Sequence, residues 1–424
     1  MDRRRYKGCL QAQFRISWLD PHFQQGHSED SMHRCQRMIT RLAALSVFAL
    51  LAAAPGRAER RAAAAAARAR ELVAAVEHND AARVSRLAAS GADINHVDAE
   101  GNTPLMDAAV LGKTEALRAL LRLGAKVDLR SHSGKTALIK GVLGGRSGVV
   151  QELLSRRLDI NARDKSGSSA LLDAVKLGYP GLALMLLQHR ADPSTRNNNG
   201  ISALIYAITQ RERPVVDDLL SRRVDVKAHS STGLTALTAA VRYGDPALVE
   251  RLLGMGAEVN RQERTGQSAL MLAARRGSVP ILRALLDHRA GVGAKDSQGN
   301  SALMYAALYS DAPAVRELLD HHADVNSRGR KGLTPLMAAS YRGKTEIVRA
   351  LVAHHANVNL RDAAGNSALM WATYRGPTST VNALLTGGAD VNASSRNGNS
   401  ALINAARSDK RELVGVLKRC GARE

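Results

Sequence analysis

The sequence predicts an all-α repeat solenoid of about eleven stacked helix-turn-helix units, each 33 residues long, with short β-hairpin arms. Two observations predict this fold class. A Ser or Thr followed by Ala or Pro and then Leu returns every 33 positions without insertion, and a Gly stands two positions before each of them. A fixed period of this length is the signature of a stacked solenoid. The hydroxyl residues are Thr103, Thr136, Ser169, Ser202, Thr235, Ser268, Ser301, Thr334, Ser367 and Ser400.

Each residue type in the first half of the repeat has a structural reason. The Gly suits a turn with positive φ, and the hydroxyl can accept a hydrogen bond from the first turn of a helix that begins after it. Where Pro follows, as in Thr103-Pro104, it takes the first helical position, where no N–H is needed. A Gly nine positions after the hydroxyl predicts the end of this first helix. Seven repeats have one: Gly112, Gly145, Gly178, Gly244, Gly277, Gly343 and Gly376.

A second helix follows in each repeat and contains a Leu-Leu or similar pair, as at Leu120-Leu121. It ends in Gly-Ala-Asp-Val-Asn or a relative, as at residues 388–392. We expect the alternating Ala-Asp-Val-Asn stretch to form a short extended arm that leads to the next Gly turn. Alanines fill the positions where neighbouring first helices touch, so the sequence predicts close helix packing and an aliphatic core.

Helix, turn, helix and hairpin arm at 33 residues resemble the ankyrin repeat, over roughly residues 71–424. The resemblance implies a rigid surface that binds other macromolecules, with the end of the first helix and the hairpin tip lining a concave face. The chain departs from the family pattern at the His that usually follows Thr-Pro-Leu. We expect an apolar contact there instead of a hydrogen bond, and the residues are Met106, Ile139, Leu172, Ile205, Thr238, Met271, Met304, Met337, Met370 and Ile403.

The domain organisation predicted from the repeat frame has three parts. Residues 1–37 are expected to be a non-structural extension or a start-site artefact, 38–58 a signal peptide and 59–424 the solenoid. The solenoid is divided into an N-terminal capping repeat, nine regular repeats and a C-terminal capping repeat, at 71–98, 99–397 and 398–424. Terminal repeats are expected to be atypical because one of their faces meets water.

The N-terminal cap lacks the usual helix start, because Arg70 stands where the hydroxyl residue should be. The Ala-rich and Arg-rich residues 60–70 have high helix propensity. They therefore predict the first helix of this cap.

Residues 38–58 have the three parts of a secretory signal. A short basic start at 38–41 precedes an apolar run of 13 residues at 42–54, and small residues for cleavage follow at 56–58. The run is shorter than the about 20 residues of a membrane span. A buried helix or an uncleaved interfacial anchor are the alternatives. The signal and the composition predict a bacterial periplasmic or otherwise exported protein; without cleavage, a cytoplasmic location is expected.

The formal net charge of the whole chain is +21. Residues 1–58 contain nine Lys or Arg and four Asp or Glu, so the mature chain keeps about +16. Such a basic chain favours an acidic protein, an anionic envelope polymer, a phospholipid surface or, if it is not exported, nucleic acid. The alternative is that the charge serves solubility and follows an Arg-rich genome.

Arg and Tyr collect in the C-terminal repeats at two positions, seven and eight residues after the hydroxyl. These side chains dominate binding hot spots because they offer area, cation–π contacts and hydrogen bonds. The early repeats are more apolar at the same positions, as at Val110, Leu111 and Leu143, and could serve a second contact or a terminal association. The predicted partner-binding residues, called the Arg/Tyr ladder below, are Arg242, Tyr243, Arg275, Arg276, Tyr309, Tyr341, Arg342, Tyr374, Arg375 and Arg407.

Three further aromatic residues, Tyr206, Tyr305 and Trp371, stand one helical turn before the ladder. We expect them to be partly core. The hairpin tips add polar residues to the rim, such as Arg330-Lys331 and Arg396-Asn397.

No catalytic or metal-binding pattern is present in the sequence. Phosphate-binding loops, His-Glu-x-x-His, Cys-x-x-Cys and nucleophile elbows are missing. Zinc ligands lie about 2.0–2.1 Å from the metal, whereas equivalent residues of stacked repeats lie about 10 Å apart. A repeated His is therefore expected to serve a helix end or a partner contact, and we predict no enzyme, cofactor or metal. The repeated histidines are His189, His288, His321 and His354.

The predicted function is a non-catalytic scaffold that presents a basic and aromatic groove to an acidic protein partner. The first alternative is an electrostatic binder of a polyanion, whose affinity should fall steeply with salt. A secreted effector that acts in a host cell is a lesser alternative. A monomer is expected, because a capped stack needs no second copy.

Overall fold

The structure of the protein, a computed structural model, describes residues 57–423. This part of the chain contains 22 α-helices in eleven consecutive pairs, and Ala69–Glu424 form one compact unit. First helices pack on first helices of neighbouring pairs, and second helices pack on second helices. The helices are α1 Arg57–Glu77, α2 Ala81–Ala89, α3 Pro104–Leu111, α4 Thr114–Arg122, α5 Ala137–Leu143, α6 Ser147–Leu154, α7 Ala170–Lys176, α8 Pro180–Gln188, α9 Ala203–Gln210, α10 Arg213–Ser221, α11 Ala236–Tyr243, α12 Pro246–Gly254, α13 Ala269–Arg276, α14 Val279–Asp287, α15 Ala302–Tyr309, α16 Ala312–Asp320, α17 Pro335–Tyr341, α18 Thr345–Ala353, α19 Ala368–Arg375, α20 Thr378–Thr386, α21 Ala401–Arg407 and α22 Arg411–Arg419.

All ten repeated hydroxyl residues cap a first helix, as the sequence predicts. Each side-chain oxygen accepts a hydrogen bond from the backbone N–H three residues later, for example at 3.3 Å between Thr103 and Met106. The expected apolar contact at the family's His position is wrong at Thr238. There the hydroxyl accepts a hydrogen bond from the Thr235 N–H at 3.0 Å and closes a capping box.

The Gly residues that were expected to end the first helices do so. Six of the seven have positive φ between 65° and 76°, which L-residues adopt only at a cost. Gly376 instead has φ −74° and ψ 162°. It precedes Pro377, and a residue before Pro is displaced from helical to extended backbone by the Pro ring.

The extended arms expected from the Ala-Asp-Val-Asn stretches are wrong, because the described chain contains no strand there. The stretches are turns, and in six of the ten an Asp carboxylate accepts a backbone hydrogen bond from the N–H two residues later, as between Asp390 and the Asn392 N–H at 3.0 Å. What remains of the hairpin is a single antiparallel bridge in six repeats, such as Arg163 with Ser169.

The Asn of the same stretch joins one repeat to the next. At seven of ten equivalent positions an Asn or Asp side-chain oxygen accepts a hydrogen bond, 2.7 to 3.1 Å long, from a backbone N–H 31 residues later. At Asn359 and Asn392 the side-chain amide also donates to a carbonyl of the next repeat, at 3.1 Å. These Asn and Asp side chains therefore fix the register of neighbouring hairpins. The alternation of apolar and polar residues in the sequence does not reveal this role.

Backbone hydrogen bonds join the hairpin tips as well. In eight pairs of successive tips an N–H donates to a carbonyl 32 residues earlier, as from Ala363 to Lys331 at 2.8 Å. The core behind the hairpins is aliphatic, as predicted, and Ala306 and Ala307 on α15 are fully buried where first helices meet.

The first helix of the N-terminal cap is confirmed, but it runs through Arg70 without a cap and spans 21 residues. Its residues 62–67 are exposed, whereas Leu72 and Val76 near its end are fully buried. The predicted signal peptide lies outside the described residues except for Arg57 and Ala58, which begin α1. None of the helices in residues 57–423 has the length and apolar character to cross a bilayer.

Asn359→Ala tests the side-chain links between hairpins. It removes two hydrogen bonds to the next repeat, at 2.8 and 3.1 Å, and should lower the free energy of unfolding by about 1 kcal/mol. Urea denaturation followed by circular dichroism measures the change. Asn397→Ala, at an exposed hairpin tip, is the control and should have little effect; equal stability of the two variants would contradict the role of Asn359.

Candidate functional site

The Arg/Tyr ladder lies at the last turn of the first helices α11, α13, α15, α17, α19 and α21. Because each repeat copies the geometry of the one before, residues 33 apart are placed on the same face. Eight of the ten ladder residues are exposed, and Tyr243 and Tyr341 are half-buried. Tyr309 and Tyr374 keep 52% and 55% of their surface exposed, although burial of large aromatic side chains is otherwise favourable.

Cation–π contacts join the ladder across repeats. The Arg275 guanidinium lies 5.4 Å from the ring centre of Tyr309 in the next repeat, and that of Arg375 lies 5.4 Å from Tyr341 in the preceding repeat. Both distances are within the range of an attractive contact. A third contact comes from Arg211, 5.0 Å from the Tyr243 ring. Sequence reasoning missed Arg211, which takes the left-handed helix-cap position that Gly has in other repeats.

Two ladder residues also have partners that hold the stack together. Arg242 forms an ion pair with Glu263 at 2.5 Å, and Arg276 Nη1 donates to the Arg242 carbonyl at 2.8 Å. Gly244 makes room for this contact, since a Cβ there would lie 2.3 Å from the Arg276 guanidinium. These two arginines are therefore less available to a ligand than Arg275, Arg342 and Arg375.

The three aromatics one turn before the ladder are half-buried, as expected, and each is anchored by its polar atom. Trp371 Nε1 donates to Asp362 at 3.1 Å and the Tyr305 hydroxyl donates to Asp296 at 2.7 Å. The Tyr206 hydroxyl accepts from Asn197 at 3.1 Å. These three partners lie nine residues earlier, in the preceding hairpin, and the Tyr305 hydroxyl also accepts from Gln267 at 2.7 Å. These side chains support the ladder and are not themselves free for a ligand.

The Tyr305–Asp296 pair has a defined electrostatic state. Burial and the bond to Asp296 raise the pKa of the Tyr305 hydroxyl. Burial would raise the pKa of Asp296 too, but hydrogen bonds from Tyr305, Asn300 and Gln298 outweigh it and the pKa is lowered. Asp296 is therefore ionised, and its carboxylate oxygens already accept hydrogen bonds from Tyr305, Gln298 and Asn300.

The charges of the ladder differ from those of the second helices. Three second-helix arginines pair with a carboxylate 34 residues away; two of these pairs are Arg118–Glu152 and Arg283–Glu317, both at 2.9 Å. Of the six ladder arginines, only Arg242 has an ion pair within residues 57–423. Arg407 bonds instead to the neutral Asn399 amide oxygen at 2.7 Å. The ladder thus presents positive charge that the described chain does not neutralise.

Two lysines, Lys344 and Lys410, donate hydrogen bonds to carbonyl groups at the C-terminal ends of first helices. Lys410 Nζ donates to the carbonyls of Thr373, Tyr374 and Gly376 at 3.1 to 3.3 Å, and Lys344 does the same for Ser310. Burial lowers the pKa of both ammonium groups. The recurrence of Lys ten residues after the hydroxyl could have indicated this role, which sequence reasoning missed.

The repeated histidines end second helices, as predicted from the helix dipole. His288 lies 3.4 Å from Glu250 and His321 lies 3.7 Å from Glu317. Within the described residues, no three His, Cys, Asp or Glu side chains are grouped to hold a metal ion.

At the N-terminal end of the stack, carboxylates replace the aromatics one turn before the ladder. Asp107 on α3 stands nine residues after Asp98 of the hairpin, the spacing of Tyr305 and Asp296, and is close enough to feel its charge. Burial and then the charge of Asp98 raise the pKa of Asp107 to about 6, although Lys140 opposes them. Hydrogen bonds from Asn102 and Glu100 outweigh burial and lower the pKa of Asp98, so Asp107 is the carboxylate of the two that takes up a proton as the pH falls through about 6. The ladder positions of the same repeat, Val110 and Leu111, are apolar, and Leu111 and, two repeats later, Leu177 are exposed.

A family model described as ankyrin repeats (3 copies) matches the chain in overlapping segments that together span more than half of it. The segments are residues 72–164, 146–230, 171–263, 237–329 and 326–395. No curated protein is significantly similar to the chain.

Asp107→Asn tests the electrostatics of the N-terminal repeats. Because the folded pKa of about 6 exceeds the unfolded value, wild-type stability falls as the pH rises through this window. With allowance for partial exposure, the variant should be more stable by about 1 kcal/mol at pH 7.5, and the gain should shrink below pH 5. Thermal unfolding across pH measures this. Asp287→Asn, at the exposed end of α14, is the control; a gain independent of pH would contradict the assignment.

Proposed function

The chain belongs to the ankyrin repeat family, and we propose from this premise that its Arg/Tyr ladder binds an acidic segment of a protein partner. Ankyrin repeats are protein-binding scaffolds, and the surface of a solenoid suits an extended contact. In this proposal the protein acts without catalysis, as a rigid surface whose ladder faces the partner.

The observation that supports this most is the unneutralised charge of the ladder. Five of its six arginines have no ion pair among residues 57–423, while Arg118, Arg251 and Arg283 on second helices do. Seven of the eleven arginines on second helices have an ion pair within the same residues, against one of the six on the ladder. Carboxylates of a partner would supply the missing counter-charges. The guanidinium group favours carboxylates because it can donate two parallel hydrogen bonds to one of them.

The ladder tyrosines supply the second part of the proposed contact. Tyr309 and Tyr374 are large and half-exposed, and their rings have few rotatable bonds, so a partner that covers them gains area at low entropic cost. Arg275 already lies over Tyr309. This pre-arrangement reduces the ordering that binding requires.

We further propose that the chain is exported, on the basis of residues 38–58, with the partner in the bacterial envelope. The intact mass of the native chain checks this, and a start at Glu59 is the expected result. A polyanion is the second candidate ligand, which the charge of about +16 after residue 58 favours. A protein partner would contact the ladder tyrosines, whereas a polyanion would need only the positive charge.

Tyr374→Ala separates a protein partner from a polyanion. The side chain has no ring contact in the described chain and is 55% exposed, so its loss should leave the fold intact. Capture of partner protein from the host's envelope fraction should fall about tenfold or more, as measured by quantitative mass spectrometry. Retention on a heparin column should not change, because heparin needs charge alone.

The matched control for this experiment is Arg349→Ala on α18, an exposed arginine paired with Glu346. It should alter neither capture nor retention. Full capture by Tyr374→Ala, combined with a steep loss of binding in salt, would contradict the protein-partner proposal and favour the polyanion. Circular dichroism confirms that each variant is folded.

A further inference from the structure

One pair of hairpin tips lacks the backbone hydrogen bond that joins the other eight. By the spacing of those bonds, the Arg330 N–H should donate to the Gln298 carbonyl, and within the described chain it does not. A Cβ placed on Gly299 would lie 3.7 Å from the next hairpin, whereas one on Gly266 would lie 2.6 Å from it. The row of hairpins is therefore open at this one position.

The cause is Gly329 at the base of the second hairpin. Every other hairpin has a polar side chain there, and in the preceding one Asp296 accepts hydrogen bonds from the N–H groups of Gln298 and Asn300, both at 2.8 Å. Gly329 has no side chain to do this, and the tip winds instead into a short 3₁₀ turn over Arg330–Gly332 with Lys331 at φ 59°. Gly329, the one hairpin base without a polar side chain, is thus followed by a tip with a different backbone conformation.

A cleft of about 450 Å³ lies at this opening, beside the ladder. Its apolar wall contains Met304, Leu308 and the exposed face of Tyr309, and its rim contains Arg330 and Lys331. Neither cation has an ion pair within residues 57–423, and both are exposed. The volume is in the range of ligand pockets, roughly 300–1,000 Å³.

We propose that this cleft binds an apolar residue followed by an acidic residue of an extended protein segment. The apolar side chain would lie against Met304, Leu308 and Tyr309, and the carboxylate would lie on Arg330 and Lys331, where charges are complementary. The backbone of the segment would accept a hydrogen bond from the Arg330 N–H, which has no backbone partner within the described chain. This rests on the proposed function and names the feature of the partner that is recognised.

The test uses the full chain labelled with ¹³C at the Met methyl groups, with the Met304 signal assigned by Met304→Leu. The probe is N-acetyl-Phe-Glu-amide, and N-acetyl-Phe-Gln-amide and N-acetyl-Phe-Lys-amide are its controls. The Glu peptide should shift the Met304 methyl signal and leave that of Met185 in place. It should bind about fivefold more tightly than the Gln peptide, the range of exposed ion pairs. Arg330→Ala/Lys331→Ala should abolish this preference.

Equal affinity for the three peptides, or no shift of Met304 with any of them, would overturn the cleft proposal. The unchanged methyl signals elsewhere show whether the double variant is folded. Failure here with intact Tyr374-dependent capture would leave the ladder as the binding surface without this subsite. A Met304 shift with the Glu preference, in a chain whose protein capture ignores Tyr374→Ala, would support the cleft and refute the ladder.

Discussion

The hydrogen bonds between successive hairpins set the geometry on which the rest of the molecule depends. Asn and Asp oxygens accept backbone N–H groups 31 residues later, and tip N–H groups bond to carbonyls 32 residues earlier. Because these offsets are constant, side chains about one repeat apart lie next to each other along the stack. The second-helix pair Arg283–Glu317 and the ladder contact between Arg275 and Tyr309 both follow from this register.

Arginine has a different role on the first helices than on the second helices. Of the eleven arginines on second helices, seven pair with a carboxylate of residues 57–423, and four of these carboxylates belong to a neighbouring repeat. At the ends of first helices arginine lies over tyrosine rings or in solvent, and only Arg242 among the six ladder arginines pairs with an acid of the described chain. The proposed site is thus the surface whose positive charge is not neutralised within the described chain. The opening between hairpins at Gly329 lies beside it.

Much of this architecture follows from local chemistry and was predictable. Hydroxyl caps, Gly helix ends and the position of the ladder depend on residues within one repeat and on the period alone. The predicted extended arms failed because alternation of Ala-Asp-Val-Asn resembles a strand, whereas Asp390 caps its own turn and Asn392 bonds to the next repeat. Contacts of Arg211 and Lys410 depend on rotamers and on the distance between repeats, which no single repeat specifies. Gly329 was visible in the sequence as the one hairpin base without a polar side chain, but its consequence required the structure.

Site-specific photocross-linking in the native host tests the central claim, that the ladder is a protein-binding surface, most directly. A photoreactive amino acid would replace Arg342, on the ladder, or Arg349, seven residues later on an exposed second-helix surface. The account predicts a discrete protein adduct from position 342 with an acidic segment at the cross-link, and none from position 349. Equal labelling from both positions, or a nucleic acid or polysaccharide adduct from position 342 alone, would contradict it.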